Sequence, residues 1–308
     1  MTGSLRLTES GSVSDVERAD ILDLHERAVS ADGVSALDDQ VRLDLAHSSP
    51  DTAARHVLAH RGETLVGYAH FRRTAYGPMS AHLVVDSQAR REGVGSALVE
   101  HLLGAAGDAG VRVWAHGDVA SAALLGDRFG FRRDRELWQL RRPLDDSLPE
   151  PTYPADVRVR TFEVGRDEDA WVAVNAAAFE DHPEQGAMTR DDLLQRMDEP
   201  WFDPEGLFVA TRGDTVVGFH WTRVHPAGEK ATHQMGEVYA VGVSPAAQGL
   251  GLGKALTLTG LLYLRERGLT EVLLYVDADN TAAVATYRGL GFSSYAVDVM
   301  YESSGLPH

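Results

Sequence analysis

Apolar and polar positions change period along the second half of the chain, and the changes mark its elements. Val157 to Phe162 alternates as a strand, and Asp169 to Phe179 carries apolar residues at helical spacing. Thr189-Arg190-Asp191-Asp192 has the character of a helix start, with a capping threonine and acids that suit the positive end of the helix dipole. Gly206 to Thr211 and Thr215 to Val224, joined by Arg212-Gly213-Asp214, predict a hairpin. Gly236 to Val243 is a further strand, ended by Ser244-Pro245. Leu256 to Arg267 predicts a helix, Glu271 to Val276 a strand, Thr281 to Leu290 a helix closed by Gly291, and Ser294 to Met300 a last strand. Strands and helices mixed in this order predict an α/β or α+β domain with a mixed central sheet flanked by helices.

The first half repeats the second. Arg90-Arg91-Glu92-Gly93-Val94-Gly95 aligns with Gln248-Gly249-Leu250-Gly251-Leu252-Gly253, an offset of 158 residues from Gly93 to Gly251. Each copy follows a short apolar run, Leu83-Val84-Val85 or Val241-Gly242-Val243, and precedes a helix-like stretch. Downstream, Val111-Arg112-Val113-Trp114 matches Val272-Leu273-Leu274-Tyr275, and Phe129-Gly130-Phe131 matches Leu290-Gly291-Phe292, at an offset of 161 from Gly130 to Gly291. Between the copies lies Arg142 to Pro154, rich in prolines and acids that continue neither a helix nor a central strand. Two long repeats argue for a duplicated domain rather than a solenoid, with domains at residues 1–145 and 153–308.

Composition narrows the function classes. The 308 residues suit two domains, each with its own core. No cysteine is present, so disulfides, thiolate metal sites and a cysteine nucleophile are excluded. A formal charge of −17 argues against a nucleic-acid surface, which needs clustered cations. It leaves room for an anionic ligand held by backbone N–H groups at a helix start. No apolar stretch approaches a membrane span, and no leader is visible at Met1 to Ser10, so a cytoplasmic protein with no membrane partner is expected. A monomer suffices. His56 and His60 lie on a strand-like stretch, too far apart to share a metal, and no metal site is expected.

A strand followed by Gln-x-x-Gly-x-Gly and a helix is a phosphate-cradle pattern, since glycines permit close approach and exposed N–H groups face the anion. The Rossmann fingerprint needs other glycine spacing after a first strand, and a Walker loop fails because Ala255 follows Lys254. With Asn280 at a strand end, Tyr287 on the next helix and then Gly291-Phe292, both halves resemble the GNAT acyltransferase superfamily. That resemblance implies two tandem acyl-CoA-binding domains with acetyl-CoA as acetyl donor. In the second domain it assigns the donor to Val241, Gly242 and Val243, to Gln248, Gly249, Leu250, Gly251, Leu252, Gly253 and Lys254, and to Asn280, Thr281, Ala282, Ala283, Val284 and Ala285.

Acetyl transfer to an amine needs a base, an oxyanion donor and an acid for the thiolate. Glu237, on the strand entering the cleft, is the candidate base, directly or through a water. The N–H near Val241 is the oxyanion donor, and Tyr287 matches the superfamily's thiolate-protonating tyrosine. The first copy keeps a loop able to hold CoA at Leu83, Val84 and Val85 and at Arg91, Glu92, Gly93, Val94, Gly95 and Ser96. It places Met79, Val119 and Gly126 where the second has Glu237, Asn280 and Tyr287, so chemistry is expected in the second domain.

A narrower resemblance is carried by Trp114-Ala115-His116-Gly117, Asn175 to Gly186 with its His182-Pro183-Glu184-Gln185, and Trp201-Phe202-Asp203-Pro204. Gly218-Phe219-His220-Trp221-Thr222, Val224-His225-Pro226, Gly236-Glu237-Val238-Tyr239, Leu273-Leu274-Tyr275-Val276 and Thr286-Tyr287 continue it. These segments resemble a tandem-domain GNAT branch whose acceptor is the cysteine amine of cysteinyl-glucosaminyl-inositol. The resemblance implies that Asp39, Glu184, Arg223, Glu237 and Tyr275 contact this small-molecule acceptor. Asp39 stands where Glu is usual and Arg223 where Lys is usual. Carboxylates suit polyol hydroxyls and an ammonium, and a tyrosine supplies both a face and a hydroxyl. Two alternatives stay open, a GNAT acetyltransferase for another amine and a catalytically silent acyl-CoA sensor.

Overall fold

Ser14 opens the first long helix with a capping box, its hydroxyl accepting from the N–H of Glu17 while the Glu17 carboxylate returns to the Ser14 backbone. In this computed structural model residues 3–49, 53–73, 77–180, 183–227 and 229–303 are described, Pro183 and Glu184 by their backbone alone. The chain runs β1 (Leu5–Ser10), α1 (Asp15–Asp32), α2 (Asp39–Ala46), β2 (Ala54–Arg61), β3 (Thr64–Arg72), β4 (Met79–Val85), α3 (Val94–Ala106), β5 (Val111–Ala115), α4 (Ala120–Arg128) and β6 (Phe131–Pro143). It continues with β7 (Val157–Thr161), α5 (Glu168–Ala178), α6 (Pro183–Gly186), α7 (Arg190–Met197), β8 (Leu207–Arg212), β9 (Thr215–His225) and β10 (Met235–Val243). The last elements are α8 (Leu252–Glu266), β11 (Glu271–Asp277), α9 (Thr281–Gly289) and β12 (Ser293–Ser303).

Two compact units form, and the first is discontinuous: Met1–Leu137 together with Ala296–His308, against Trp138–Tyr295 for the second. β6 and β12 are each divided between the units. In the first unit the strand order is β1-β2-β3-β4-β5-β12-β6, and in the second β6-β11-β10-β9-β8-β7. The last strand is antiparallel to β5, with Val299 opposite Ala115 and Tyr301 opposite Val113. Leu144 and Leu148 are buried in the second unit, and the Leu144 N–H donates to the carbonyl of Thr270. The stretch read as a linker thus begins as a strand and then packs through its two leucines.

Each sheet has helices on both faces. In the first unit α3 covers one face through Val94, Leu98 and Leu102, while α1 and α2 cover the other through Ile21, Leu24, Val41 and Leu45. In the second unit Leu258, Leu261 and Leu264 of α8 pack on one face, and Trp171 of α5 meets Phe219 and Trp221 on the other. Helix α8 starts at Leu252, inside the glycine motif and four residues before the expected Leu256.

One irregularity recurs. Strand β4 runs parallel to β5 only from Met79 to His82, then continues to Val85 beside β3 alone. Strand β10 runs parallel to β11 only from Gly236 to Val238, then continues to Val243 beside β9, after a register shift between Val238 and Ala240. Each sheet is therefore split at its parallel pair.

Candidate active site and its counterpart in the first unit

The split leaves the outer main-chain edge of Val241 to Val243 without β11 as a partner, and the glycine loop follows it directly. Gly249 and Gly251 have φ of 77° and 75°, where a side chain would be strained. Gly251 is the N-cap of α8 and provides no side-chain cap, so the first-turn N–H groups of the helix face outward. That arrangement fits the pyrophosphate of a nucleotide. Gln248, Gly249, Leu250 and Lys254 are exposed around it, while Leu252 anchors the helix in the core. Gly242 has a packing reason, since a Cβ there would collide with the Phe219 ring.

Across the split, Asn280 is the N-cap of α9, its Oδ1 accepting from the Ala283 N–H at 3.1 Å. Thr281, Ala282 and Ala285 are exposed, Ala283 is half-buried, and Val284 points into the core. Tyr287 lies half-buried against the edge of Phe292, with ring centres 5.8 Å apart. Burial pushes its phenol up to about 12, so it holds its proton at neutral pH.

Glu237 lies on β10 opposite Arg223 of β9, and its neighbour on β11 is Leu273. Its buried carboxylate accepts from His225 Nε2 at 2.7 Å, and His225 Nδ1 lies 3.1 Å from Glu229 Oε1. Burial alone would raise the carboxyl. The hydrogen bond and charge of His225, helped by Arg223 and Lys230, outweigh it and hold Glu237 below the carboxylate range. Burial likewise opposes the charge of His225, but Glu229 and Glu237 overcome it and raise the imidazole. Arg223 stacks over Trp201 with its guanidinium 4.7 Å from the ring centre, and its Nη2 lies 3.4 Å from Glu229. The Tyr275 hydroxyl accepts from Lys230 Nζ and from Gln139 Nε2, each at 3.2 Å.

Three of the expected acceptor residues, Arg223, Glu237 and Tyr275, thus come together on adjacent strands. Glu184 lies on α6 with its side chain outside the described residues. Asp39 occupies the first turn of α2 in the first unit, beside its N-cap Asp38. His225, Glu229, Lys230 and Trp201 join Arg223, Glu237 and Tyr275; the sequence gives none of the four a site role, although His225 and Trp201 lie in the segments Val224-His225-Pro226 and Trp201-Phe202-Asp203-Pro204. The two-residue spacing of Arg223 and His225 puts both on one strand face but names no partner for either.

The first unit repeats the geometry with other side chains. Gly93, φ 87°, is the uncapped N-cap of α3, and Arg91 takes φ 65° beside it. A cavity of about 580 Å³ is lined by Leu83, Val84, Val85, Arg91, Gly93, Gly95 and Ser96, together with Trp114, His116 and Tyr301. Two expected side chains turn away from it: Glu92 pairs with Arg61, and Val94 is drawn into the core by Leu98 and its neighbours. They can serve a ligand only through their main chain. No group of His, Asp or Glu able to hold a metal occurs among the described residues.

A profile of the acetyltransferase (GNAT) family matches residues 171–292, and a GNAT domain profile matches residues 52–133. Mycothiol acetyltransferase of Thermobispora bispora is 52% identical over 91% of this chain and 94% of its own length. That of Thermomonospora curvata is 50% identical over 96% and 97%. Among solved structures, a GCN5-related N-acetyltransferase from Sphaerobacter thermophilus superposes with TM-score 0.70 at 25% identity, covering 96% of this chain and 95% of that one. A tandem GNAT protein from the clavulanic acid pathway, 19% identical, shares the fold at TM-score 0.75 over 99% and 100%. With two GNAT domains in one chain and relatives this similar over nearly its whole length, the protein belongs to the mycothiol acetyltransferase family of acetyl-CoA-dependent N-acetyltransferases.

Proposed function

We propose that the second unit transfers the acetyl group of acetyl-CoA to the cysteine amine of cysteinyl-glucosaminyl-inositol, the last step of mycothiol biosynthesis, in the cytoplasm. The observation that carries this reading is the meeting of Arg223, Glu237 and Tyr275 on three adjacent strands, where β10 and β11 part. Tyr275 follows the last paired position of β11, Leu274, and so stands at the mouth of the split. Carboxylate, guanidinium and phenol together match an acceptor that carries an ammonium and many hydroxyls.

In this reading Val241 to Val243 and Gln248 to Lys254 hold the donor, with Asn280 to Ala285 on the facing side. Glu237, kept ionised by His225, takes a proton from the acceptor ammonium, a group with a pKa of about 8. The free amine attacks the thioester carbonyl, and the N–H near Val241 receives the developing oxyanion. Collapse breaks the C–S bond, Tyr287 gives its proton to the departing thiolate, and the second proton of the amine leaves the nitrogen through water, which restores the phenol and completes the amide. The first unit binds CoA without carrying out this chemistry: Val119 and Gly126 stand in place of Asn280 and Tyr287, and the register shift in β10 sets Ser80, rather than the Met79 expected from the sequence, at the place of Glu237, Ser80 facing Arg72 and Arg112 as Glu237 faces Arg223 and Leu273.

The test is turnover with acetyl-CoA and the cysteinyl glycoside beside a panel of other amines, read by mass spectrometry of the products. Acetyl on the cysteine nitrogen is expected. Turnover of an unrelated amine with none of the glycoside would sink the acceptor assignment. Glu237→Gln should retain acetyl-CoA binding while losing turnover.

A further inference from the structure

The chain carries 29 lysine and arginine residues, and only two of them are lysines, Lys230 and Lys254. The choice matters in a protein that holds acetyl-CoA. A guanidinium stays protonated and does not attack a thioester, whereas a lysine amine can lose its proton and become a nucleophile. Lys254 lies exposed on the first turn of α8, beside the loop suited to a pyrophosphate. Lys230 stands apart from it, among the residues read as the acceptor site.

The main chain of Lys230 is tied to β6, where Arg141 Nη2 donates to its carbonyl at 3.2 Å. The side chain reaches β11: Nζ donates to the Tyr275 hydroxyl at 3.2 Å and lies 5.6 Å from the centre of that ring. Tyr275 is the first residue of β11 beyond its pairing with β10, at the mouth of the split. The charge of Lys230 adds to those of His225 and Arg223 in holding Glu237 ionised against its burial. A primary ammonium of the chain itself thus rests on the phenol and acts on the carboxylate that are proposed to hold the acceptor.

We infer that Lys230 is a self-acetylation site: with no acceptor bound, its Nζ takes the acetyl group of acetyl-CoA in the place read for the acceptor amine. This rests on the reading of the second unit's acceptor site. Glu237 takes one proton from the Nζ ammonium, and the freed lone pair forms the N–C bond to the thioester carbonyl carbon. The C–S bond breaks with its electron pair on sulfur, and Tyr287 protonates the thiolate. The second proton leaves the nitrogen through water and restores the phenol. The products are acetyl-Lys230 and the CoA thiol.

An ordinary lysine ammonium has a pKa about two units above that of an α-amino group, so self-transfer should run ~10²-fold slower than transfer to the acceptor. Peptide mass spectrometry of the full chain tests this, after incubation with acetyl-CoA and no acceptor. Acetyl is expected on Lys230 at least ~10-fold faster than on Lys254, which reports acetylation without the site's help. The N-acetylated glycoside, which fills the acceptor's place without offering an amine, should slow it. Glu237→Gln and Tyr287→Phe should each slow it ~10²-fold and leave Lys254 as it was. An unmodified Lys230 overturns the inference. So do equal rates at the two lysines, a rate that the N-acetylated glycoside leaves unchanged, or one indifferent to both variants. Glycoside turnover without acetyl on Lys230 removes this inference alone, whereas transfer to neither amine removes the acceptor-site reading with it.

Discussion

His225 stands between two carboxylates, its Nε2 2.7 Å from Glu237 and its Nδ1 3.1 Å from Glu229, so the charge on Glu237 depends on a fully buried neighbour. In His225→Leu the burial of Glu237 loses its main opposition, and the carboxyl rises. The acid limb of the kcat/KM profile should move to higher pH, with activity at neutral pH down ~10-fold or more. A limb that stays in place would show that Arg223 and Lys230 suffice to hold the charge. Glu237→Gln instead should lower kcat by ~10²–10⁴-fold at every pH.

Tyr287→Phe separates chemistry from packing. The ring keeps its contact with Phe292, so the melting temperature should hold. If the phenol protonates the thiolate, kcat should fall by ~10²-fold with the KM for acetyl-CoA unchanged. Steady-state kinetics and a thermal melt of the same sample decide it.

Gly260 of α8 is glycine because His220 of β9 occupies the space a Cβ would need. Gly260→Ala should cost the second unit ~1–3 kcal/mol. Combining it with His220→Ala should cost less than the two changes summed, because the second removes what the first strikes. Urea denaturation of the four proteins measures the coupling.

These residues also mark what could be read along the chain. Glu237, Arg223 and Tyr275 are visible as motif positions because their neighbours carry a recognisable pattern. His225, Glu229 and Lys230 join them only through the fold of β9 and β10, and no local period announces such a contact. In the sequence the glycine motif has the character of a loop, but helical geometry begins within it at Leu252 because Gly251 ends the turn with its positive φ. Val157–Thr161 and the β8–β9 hairpin follow their alternation closely. The division of β6 and β12 between the units left no trace, since alternation fixes a strand but not its partner.

Acid should weaken both units through buried neutral imidazoles. Burial lowers His220 from 6.5 to about 3 and His56 from 6.5 to about 4. Below pH 6.5 the unfolded chain takes up protons that the folded one refuses, so stability is complete above that value and falls with pH toward these lowered values. Each histidine contributes at most about 1.4 kcal/mol per pH unit. Denaturant curves at several pH values from 7 to 4.5 should show the loss, and His220→Leu should shallow it for the second unit.

The first unit contains Ala296–His308, and a chain stopped at Tyr295 would lack the strand beside β5. It would also lose the Ser303 hydroxyl that accepts from the Val111 N–H and the Asp298 carboxylate that orients His116. Hydrogen exchange on that truncated chain should show β5 amides exchanging freely while β8 to β10 stay protected.

On the ribosome this arrangement reverses the usual order of completion, in which the half made first is finished first. The N-terminal sheet must wait, one strand short, while the whole second unit is synthesised. His116 receives its carboxylate only when residue 298 emerges. Nascent or prematurely released chains therefore expose the edge of β5, an unpaired strand edge open to binding by a chaperone or to pairing with another copy, until Val299 to Glu302 close it.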